Sequence, residues 1–378
     1  MTARAERQLR ILLVLGTSTG GIGQHVRSLV ERLVRQGHRV VVCGPAETDT
    51  LFGFEATGAR FVPTAIGTRL GPHDVAVARR LRPWVWAADV VHAHGFRAGL
   101  VALAAGAGRR PAGRRRTPLV VTWHNQVLAT GLAGVAMHSA EALVARGATV
   151  SLGASADLVQ QAQRWGGRAR LGAVAAPRPR PVERGRSSVR SELAVGESPV
   201  ALAVGRLHPQ KDYPTMVRAL AQLAGRPDPP VLVVAGDGPD EASVRALAGD
   251  LGLDFRLLGR RQDVPDLMAA ADLLVVSSIW EARALVVQEA MQLVLPVVAT
   301  DVGGLPELVG DDALLVPPRD VSALAAAVAD VLDHPADAAA RADRARGRAA
   351  AWPDEDAVAR QVGGVYREVV DRPAGEAR

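Results

Sequence analysis

The segment SSIWEARALVVQEAMQLVLPVVATDVGGLPE, residues 277–307, decides the fold class. An apolar run at 272–276 leads into this segment, and a second apolar run at 296–300 lies within it. The pattern predicts a strand, a loop, a helix and a second strand, which form a parallel α/β unit. Its loop lies at the carboxyl end of the first strand. Residues in that loop and in the first turns of the helix are therefore candidates for ligand binding.

Two carboxylates, Glu281 and Glu289, stand eight residues apart in this segment. At about 1.5 Å per helical residue, this spacing predicts a separation of roughly 12 Å. That distance would let one carboxylate accept from a sugar hydroxyl and the other from a ribose. A diphosphate would lie between them, because a helix N-terminus binds phosphate groups.

Length and composition predict a protein with two domains. The chain has 378 residues, 48% of them hydrophobic, which suits two cores better than one. No apolar run approaches the roughly 20 residues that a membrane-spanning helix needs. The short apolar run at 11–15 passes directly into glycines, so it predicts a first strand and not a signal peptide. With a single cysteine, Cys43, the sequence favours a cytoplasmic protein without disulfides.

The positive charge is almost entirely arginine. Lysine and arginine total 45, and Lys211 is the single lysine. Arginine bias with abundant alanine is typical of a GC-rich bacterial genome. Aromatic residues make up 3% of the chain, which argues against base stacking and hence against nucleic-acid binding.

Strand and helix patterns alternate along the whole chain, which predicts parallel sheets. The run PRPRP at 177–181 disfavours a helix and marks the best boundary between domains. We therefore predict two Rossmann-like, doubly wound α/β domains at 1–185 and 186–353. Residues 354–378 form a C-terminal helix.

The first strand is followed by glycines from Gly16 to Gly23, which let backbone amides approach a ligand at the start of a helix from about Gln24. A nicotinamide dehydrogenase is disfavoured, because Val26 replaces the third small residue of the dinucleotide fingerprint. The next strand also ends in Cys43 and Gly44, with no acidic residue for a ribose.

Histidines follow two later strand patterns. His92 and His94 end the run DVVHAHG at 89–95, and His124 with Asn125 ends VVTWHN at 120–125. Ligands of open α/β sheets bind outside the carboxyl ends of the strands. These side chains are therefore candidates for a binding site, although a single histidine in such a place is more often structural.

The second half opens with a strand at 200–204 and the run GRLHPQKD at 205–212. Arg206 offers a planar fork of donors and Lys211 a compact charge, a combination that suits a diphosphate.

These motifs together resemble the retaining family 4 (group 1) glycosyltransferases with the GT-B fold, of actinobacterial type. The resemblance rests on the Gly-Gly-x-x-x-His-Val loop, the strand-end histidines, the Arg-x4-Lys pair, and the two glutamates followed by a Val-Gly-Gly-x-Pro-Glu run. It covers most of the chain in the family order. It implies two domains facing a central cleft, with the C-terminal helix crossing back to the first domain.

The resemblance also implies roles for these residues. Catalytic roles fall to His124, Arg206, Lys211 and Glu281. The donor would be bound by Gly21, Arg206, Lys211, Ala284, Leu285, Val286 and Glu289, and the acceptor by Gly20, Gly21, His25, His94 and Asn125. No metal and no cofactor would be needed beyond a UDP- or GDP-sugar as co-substrate. The acceptor would be a glycan, a glycolipid or a polyol.

The sequence departs from the family pattern at two places. Ala282 and Arg283 follow the first glutamate where Gly-Phe is usual, and Val294 and Leu295 replace the usual glycine at the helix end. Arg283 would either add a cation beside the phosphates or narrow the sugar pocket. A non-catalytic protein that binds a nucleotide sugar, or a sugar-nucleotide epimerase, are the alternative functions on the same fold.

The loop containing Arg109–Arg116 carries five arginines and two prolines within residues 106–118. Clustered arginines near a membrane attract anionic lipids by about 1 kcal/mol each. The loop therefore predicts either a peripheral contact with the inner face of the membrane or a solvated surface segment.

Overall fold

A computed structural model of the chain describes residues 7–18, 20–67, 71–108, 116–175 and 181–372. The chain forms two compact units. Unit 1 consists of Met1–Pro177 together with Pro353–Arg378, and unit 2 consists of Arg178–Trp352. Each unit contains one parallel sheet with its own apolar core.

Unit 1 contains a seven-stranded sheet in the order β3-β2-β1-β4-β5-β6-β7. All of its described strand pairs are parallel. The strands are β1 Arg10–Leu15, β2 Arg39–Gly44, β3 Arg60–Pro63, β4 Val90–His94, β5 Leu119–Trp123, β6 Val150–Gly153 and β7 Ala169–Leu171. The order reverses between β1 and β4, which is where open α/β sheets bind ligands.

The helices of unit 1 cover the sheet, and apolar side chains face inward from both layers. They are α1 Gly21–Arg35, α2 Ala46–Phe52, α3 His73–Ala87, α4 Phe96–Gly106, α5 Gly131–Gly147, α6 Ala156–Arg164 and α15 Glu355–Asp371, with a 3₁₀ turn at Glu55–Thr57. Helix α15 belongs to this unit although it follows unit 2 in the sequence. Its Tyr366 is fully buried in the unit 1 core.

Helix α15 is also fixed by polar contacts within unit 1. Arg32 of α1 pairs with Glu355 and with Asp356, the latter at 2.7 Å. The side chain of Asp354 accepts a hydrogen bond from the amide of Ala357, which caps the start of the helix.

Unit 2 contains a six-stranded sheet in the order β10-β9-β8-β11-β12-β13. Its strands are β8 Val200–Val204, β9 Val231–Ala235, β10 Phe255–Leu257, β11 Leu273–Val276, β12 Val297–Thr300 and β13 Leu314–Val316. Its helices are α7 Arg186–Glu192, α8 Tyr213–Ala221, α9 Glu241–Asp250, α10 Val264–Ala270, α11 Leu285–Gln292, α12 Leu305–Val309, α13 Val321–Asp333 and α14 Pro335–Ala350, with a 3₁₀ turn at Pro209–Lys211.

The strand order of unit 2 reverses between β8 and β11. The predicted fold class, two Rossmann-like doubly wound parallel-sheet α/β domains, is confirmed by the two sheets. Each sheet therefore has a switch point, where the strand order reverses and the connections leave neighbouring strands in opposite directions. Among the described residues, no helix is both long enough and apolar enough to span a membrane.

The start of α1 differs from the prediction. The helix begins at Gly21 and not near Gln24, because Gly20 takes the capping position and the amide of Gly23 bonds to Ser18 Oγ at 3.0 Å. A Cβ at position 23 would lie 2.1 Å from the ring of Phe52. Gly23 therefore lets the ring of Phe52 pack directly against α1. The prediction started the helix later because glycine has a low helix propensity.

The helical path assumed between the two glutamates was also wrong. Only Glu289 lies in α11, which begins at Leu285, and Glu281 lies in the preceding loop. The separation of roughly 12 Å assumed a helical rise over all eight residues, and half of that path is not helical.

Candidate functional site

The polar residues of unit 2 meet at the switch point of its sheet. Lys211 follows β8 and Glu281 follows β11, and these strands are neighbours. The Lys211 ammonium forms an ion pair with the Glu281 carboxylate. Glu281 is 8% exposed, so this pair is largely withdrawn from water. The sheet therefore brings together two of the residues that the sequence selected.

Ser278 is a third member of this cluster, which no sequence pattern indicated. Its hydroxyl donates to the Glu281 carboxylate at 2.7 Å and is fully buried. Together with Lys211, it holds one carboxylate oxygen in a fixed position. A serine between a strand and a loop carries no recognisable sequence signal, because its role depends on contacts from another strand.

The two loops of the site are tied together by further hydrogen bonds. Ser277 Oγ donates to the carbonyl of Lys211 at 2.8 Å, and Ile279 N donates to the carbonyl of Gln210 at 2.9 Å. The side-chain amide of Gln210 donates a hydrogen bond to the carbonyl of Trp280 at 2.8 Å. These contacts fix the backbone on both sides of the ion pair.

A glycine turn after β12 approaches the backbone of Glu281. The amide of Gly304 donates to the Glu281 carbonyl at 2.8 Å. Gly303 has a φ of +55°, and a Cβ there would lie 2.0 Å from the same carbonyl oxygen. Position 303 therefore requires glycine for both conformation and space.

Helix α11 presents its amino end in this region. Ala284 caps the helix and is buried, and Leu285 and Val286 form its first turn. The first amides of a helix lack intrahelical acceptors and attract anions. Glu289 lies in the second turn and is half-buried, and burial raises the pKa of its carboxyl to about 7.

Arg206 lies between β8 and Lys211 and is exposed, so its guanidinium is accessible to an anionic ligand. The turn at 236–239 closes on this loop. A Cβ at Gly236 would lie 1.9 Å from the Gly205 carbonyl oxygen, and one at Gly238 would lie 2.1 Å from that of Leu207. These glycines let the two loops pack backbone against backbone.

The two departures from the family pattern have visible consequences. Arg283 lies with its guanidinium carbon 5.6 Å from the centre of the Trp352 ring. Burial lowers the pKa of Arg283, and the charge of Glu307 partly opposes this shift. Val294 has a φ of +59° at the end of α11, a conformation in which a β-branched residue is strained.

The histidines of unit 1 meet at the switch point of the other sheet. His94 ends β4 and His124 follows β5, and Nδ1 of His94 lies 3.1 Å from Nε2 of His124. His25 of α1 completes the group, with its ring centre 5.3 Å from that of His124. The ligand atoms of these three histidines lie within 4.8 Å of one another.

His92 lies beside this group but has a structural role. Its two ring nitrogens bond to Tyr366 Oη and Thr122 Oγ1, each at 2.6 Å. The histidine therefore links β4 to β5 and to helix α15. The prediction placed His92 at a strand end, whereas it lies in the middle of β4, and its partners come from distant segments.

The buried histidines are neutral at neutral pH. Burial lowers the pKa of His25 to about 4 and that of His92 to about 3. Burial also holds the pKa values of His94 and His124 well below the usual range, and neighbouring histidines add to the effect. Each neutral ring therefore has one nitrogen that donates a hydrogen bond and one that accepts.

The other residues that the sequence predicts on the acceptor side lie nearby in the chain. Gly20 and Gly21 lie at the start of α1, four to five residues before His25, and Asn125 is exposed immediately after His124. The contact of His25 with the strand-end histidines was not predictable from the sequence pattern. That contact depends on how α1 packs on the sheet.

A cavity of about 1210 Å³ lies in unit 1 at the opposite edge of the sheet. Arg10, Asp89, Pro118 and Thr149 line it at the amino ends of β1, β4, β5 and β6, far from the histidines. Arg116 also lines this cavity, whereas residues 109–115 of the arginine-rich loop lie outside the described residues. The predicted membrane contact of that loop stays a prediction.

Comparison with known families covers both units. A family model described as glycosyl transferase 4-like domain matches residues 20–178, and one described as glycosyl transferases group 1 matches residues 186–348. The chain is a group 1 glycosyltransferase. This glycosyltransferase therefore has one matched family domain in each unit.

Two curated relatives agree with this assignment. This glycosyltransferase is 31% identical to an alpha-D-kanosaminyltransferase of Streptomyces kanamyceticus, over 49% of each chain. It is 28% identical to a glycogen synthase of Mycobacterium tuberculosis, over 92% of this chain and 91% of the relative. The chain thus spans about half the length of the first relative.

Solved structures share the fold. The structure of Anabaena Alr3699/HepE in complex with UDP and glucose superposes with a TM-score of 0.79 and 22% identity. The match covers 95% of this glycosyltransferase and 99% of the other chain. The likeness supports the GT-B fold class.

Proposed function

We propose that this glycosyltransferase moves a hexose from a UDP- or GDP-sugar to an acceptor hydroxyl. The observation that carries the proposal is the Lys211–Glu281 ion pair at the switch point of unit 2. A buried carboxylate held by a cation and a serine hydroxyl is a preorganised acceptor for sugar hydroxyls.

In this proposal, the second unit binds the donor. Lys211 and Arg206 neutralise the diphosphate as the bond between the sugar C1 and the phosphate oxygen breaks. The amides at Ala284, Leu285 and Val286 contribute the positive end of α11. Three observations support these roles: the exposure of Arg206, the ion pair of Lys211 and the position of α11.

The two glutamates take different hydroxyls. Glu281 accepts from the sugar, because Lys211 and Ser278 already orient its carboxylate. Glu289 accepts from the ribose. With a pKa of about 7, Glu289 needs hydroxyl donors from the ligand to favour its ionised form.

The acceptor side belongs to unit 1 in this proposal. His124 contacts the transferred sugar, and His25, His94 and Asn125 with the amino end of α1 at Gly20 and Gly21 bind a glycan, glycolipid or polyol acceptor. The meeting of three histidines at one switch point supports this assignment. The new bond joins the acceptor oxygen to C1 with retained configuration, and the acceptor proton is released.

The decisive experiment is a donor screen followed by product analysis. Thermal unfolding is measured with UDP, GDP and their glucose and mannose conjugates, because a ligand at 100 times its dissociation constant adds about 2.7 kcal/mol to stability. The stabilising donor is then incubated with candidate acceptors, with and without EDTA. Nuclear magnetic resonance of the product gives the anomeric configuration.

Matched variants make the outcome specific. Glu281→Ala should abolish transfer, whereas Glu241→Gln on the surface of α9 should leave it unchanged. Unchanged transfer by Glu281→Ala refutes the assigned role. Tight donor binding without any glycoside would favour a nucleotide-sugar-binding protein, and an altered free nucleotide sugar without acceptor would favour an epimerase.

A further inference from the structure

The histidine cluster of unit 1 has the donor set of a transition-metal site. His25, His94 and His124 come from α1, the end of β4 and the residue after β5, so three separate segments converge. All three are buried, at 5%, 4% and 7% exposure. Their ligand atoms lie within 4.8 Å of one another.

We propose that His25, His94 and His124 bind a divalent transition-metal ion of the zinc class. Zinc is held by histidine nitrogens at about 2.0–2.1 Å in tetrahedral geometry, so two nitrogens on one ion lie about 3.3–3.4 Å apart. His94 Nδ1 and His124 Nε2 share a hydrogen bond in the structure, and their separation of 3.1 Å is close to that nitrogen–nitrogen distance. The ligand nitrogen of His25 lies within 4.8 Å of both, and it must approach them to complete the triad.

The donor atoms themselves favour an ion of this class. Imidazole nitrogens suit zinc, copper and nickel, whereas magnesium and calcium require oxygen ligands. Three histidines leave one tetrahedral position for water or an anion.

One nitrogen of the histidine cluster lacks a hydrogen-bond partner among the described residues. This nitrogen is Nε2 of His94, which is buried. A buried polar atom without a partner is unfavourable, so the described hydrogen bonds leave one nitrogen of His94 unsatisfied. His92 differs because both of its nitrogens are already bonded, so we exclude it from the ligand set.

An ion at this site would inhibit the enzyme. This consequence, unlike binding itself, rests on the proposed contact of His124 with the sugar. A metal ion would occupy the lone pair that His124 offers and would block the acceptor side. Zinc would therefore act as a reversible inhibitor and not as a cofactor.

The test is Co²⁺ and Zn²⁺ binding to the full chain, without a histidine tag and without donor or acceptor. We expect one ion per chain and the visible absorption bands of four-coordinate Co²⁺, displaced by one equivalent of Zn²⁺. X-ray absorption of the zinc form should give nitrogen ligands at about 2.0–2.1 Å. Absence of the bands, or oxygen ligands alone, would overturn the proposal.

Variants identify the ligands. His94→Gln and His25→Gln should each weaken Zn²⁺ binding at least tenfold and remove the rise in Tm that the ion produces. His73→Gln in unit 1 and His334→Gln in unit 2, whose side chains are 54% and 60% exposed, should bind as the wild type does. Equal binding by His25→Gln and His94→Gln would refute the site.

Binding and the proposed function can fail independently. Glu281→Ala should abolish transfer and leave Zn²⁺ binding unchanged, because Glu281 lies in unit 2. Loss of transfer activity in every assay with intact zinc binding would reject the function alone. Transfer that proceeds in a protein without zinc binding would reject the site alone.

Discussion

Lys211 and Glu281 form an ion pair across 70 positions of sequence at the switch point of the second sheet. Lys211 is the single lysine of the chain. Removing one partner of a buried pair leaves an uncompensated charge and is strongly destabilising. The pair therefore fixes the position of the Glu281 carboxylate before any ligand binds.

Ser278→Ala should reduce transfer without removing a proposed ligand contact. The variant loses the 2.7 Å hydrogen bond to Glu281, and bonds to charged groups contribute about 1.5–3 kcal/mol. We expect kcat/KM to fall about tenfold or more. Ser243→Ala on α9, which loses a bond of an exposed serine to the Asp240 carbonyl, is the control and should be neutral. Equal activities of the two variants would contradict this role.

Gly303→Ala should disturb the site through the backbone. The added Cβ would lie 2.0 Å from the Glu281 carbonyl oxygen, and the φ of +55° disfavours a side chain. We expect destabilisation of at least about 1–2 kcal/mol and loss of transfer. Gly249→Ala in α9 is the matched control, because nothing lies within 4 Å of its added Cβ, and it should stabilise by up to about 1 kcal/mol. Chemical denaturation of both variants measures the difference.

Val294→Gly should stabilise the second unit. Val294 ends α11 with a φ of +59°, where a β-branched side chain is strained and glycine is preferred. Removing a backbone strain of about 1 kcal/mol corresponds to a rise in Tm of roughly 2–4 °C. Val294→Ala should give a smaller gain, since it keeps a Cβ. A lower Tm for Val294→Gly would show that packing of the valine outweighs its strain.

Glu289→Gln should change the pH dependence of stability. Burial raises the pKa of the folded carboxyl to about 7, whereas an unfolded glutamate has a pKa of about 4.3. The native state therefore binds the proton more tightly. This group favours folding below about pH 4, and the benefit is lost as the pH rises through 7.

At pH 8 the variant should consequently be more stable than the wild type, by up to about 3 kcal/mol, and at pH 5 the difference should shrink. Urea denaturation at both pH values gives the comparison, with Glu241→Gln, whose side chain is 43% exposed, as the control. The same variant should bind the donor more weakly if Glu289 contacts the ribose. A stability difference that does not vary with pH would contradict the raised pKa.

The sequence predicted the sheets well because their signal is local. The apolar runs of β8, β11 and β12 appear directly in the residues, and the alternation with helices predicts parallel pairing. It also placed His94, His124, Lys211 and Glu281 at carboxyl ends of strands. These predictions required only the positions of the apolar runs and their alternation with helical segments.

The parts of the site that the sequence did not predict depend on contacts between distant segments. No sequence pattern indicates that Ser278 bonds to Glu281, that His92 bonds to Tyr366, or that His25 reaches the strand-end histidines. The start of α1 was misplaced because glycines have low helix propensity, and tertiary packing against Phe52 overrides it. The roles assigned to the site residues stay predictions until the variants are measured.

The hydrogen bond between His92 and Tyr366 has a consequence for biosynthesis. Tyr366 fills the core of unit 1, yet the ribosome makes it after all of unit 2. Until residues 355–371 have been made, the nascent amino-terminal half therefore lacks part of its core, and the apolar surface that these residues cover stays exposed. A chaperone that shields this surface during elongation would raise the yield of native enzyme, and release of chains stopped before residue 355 should leave the first half prone to aggregation.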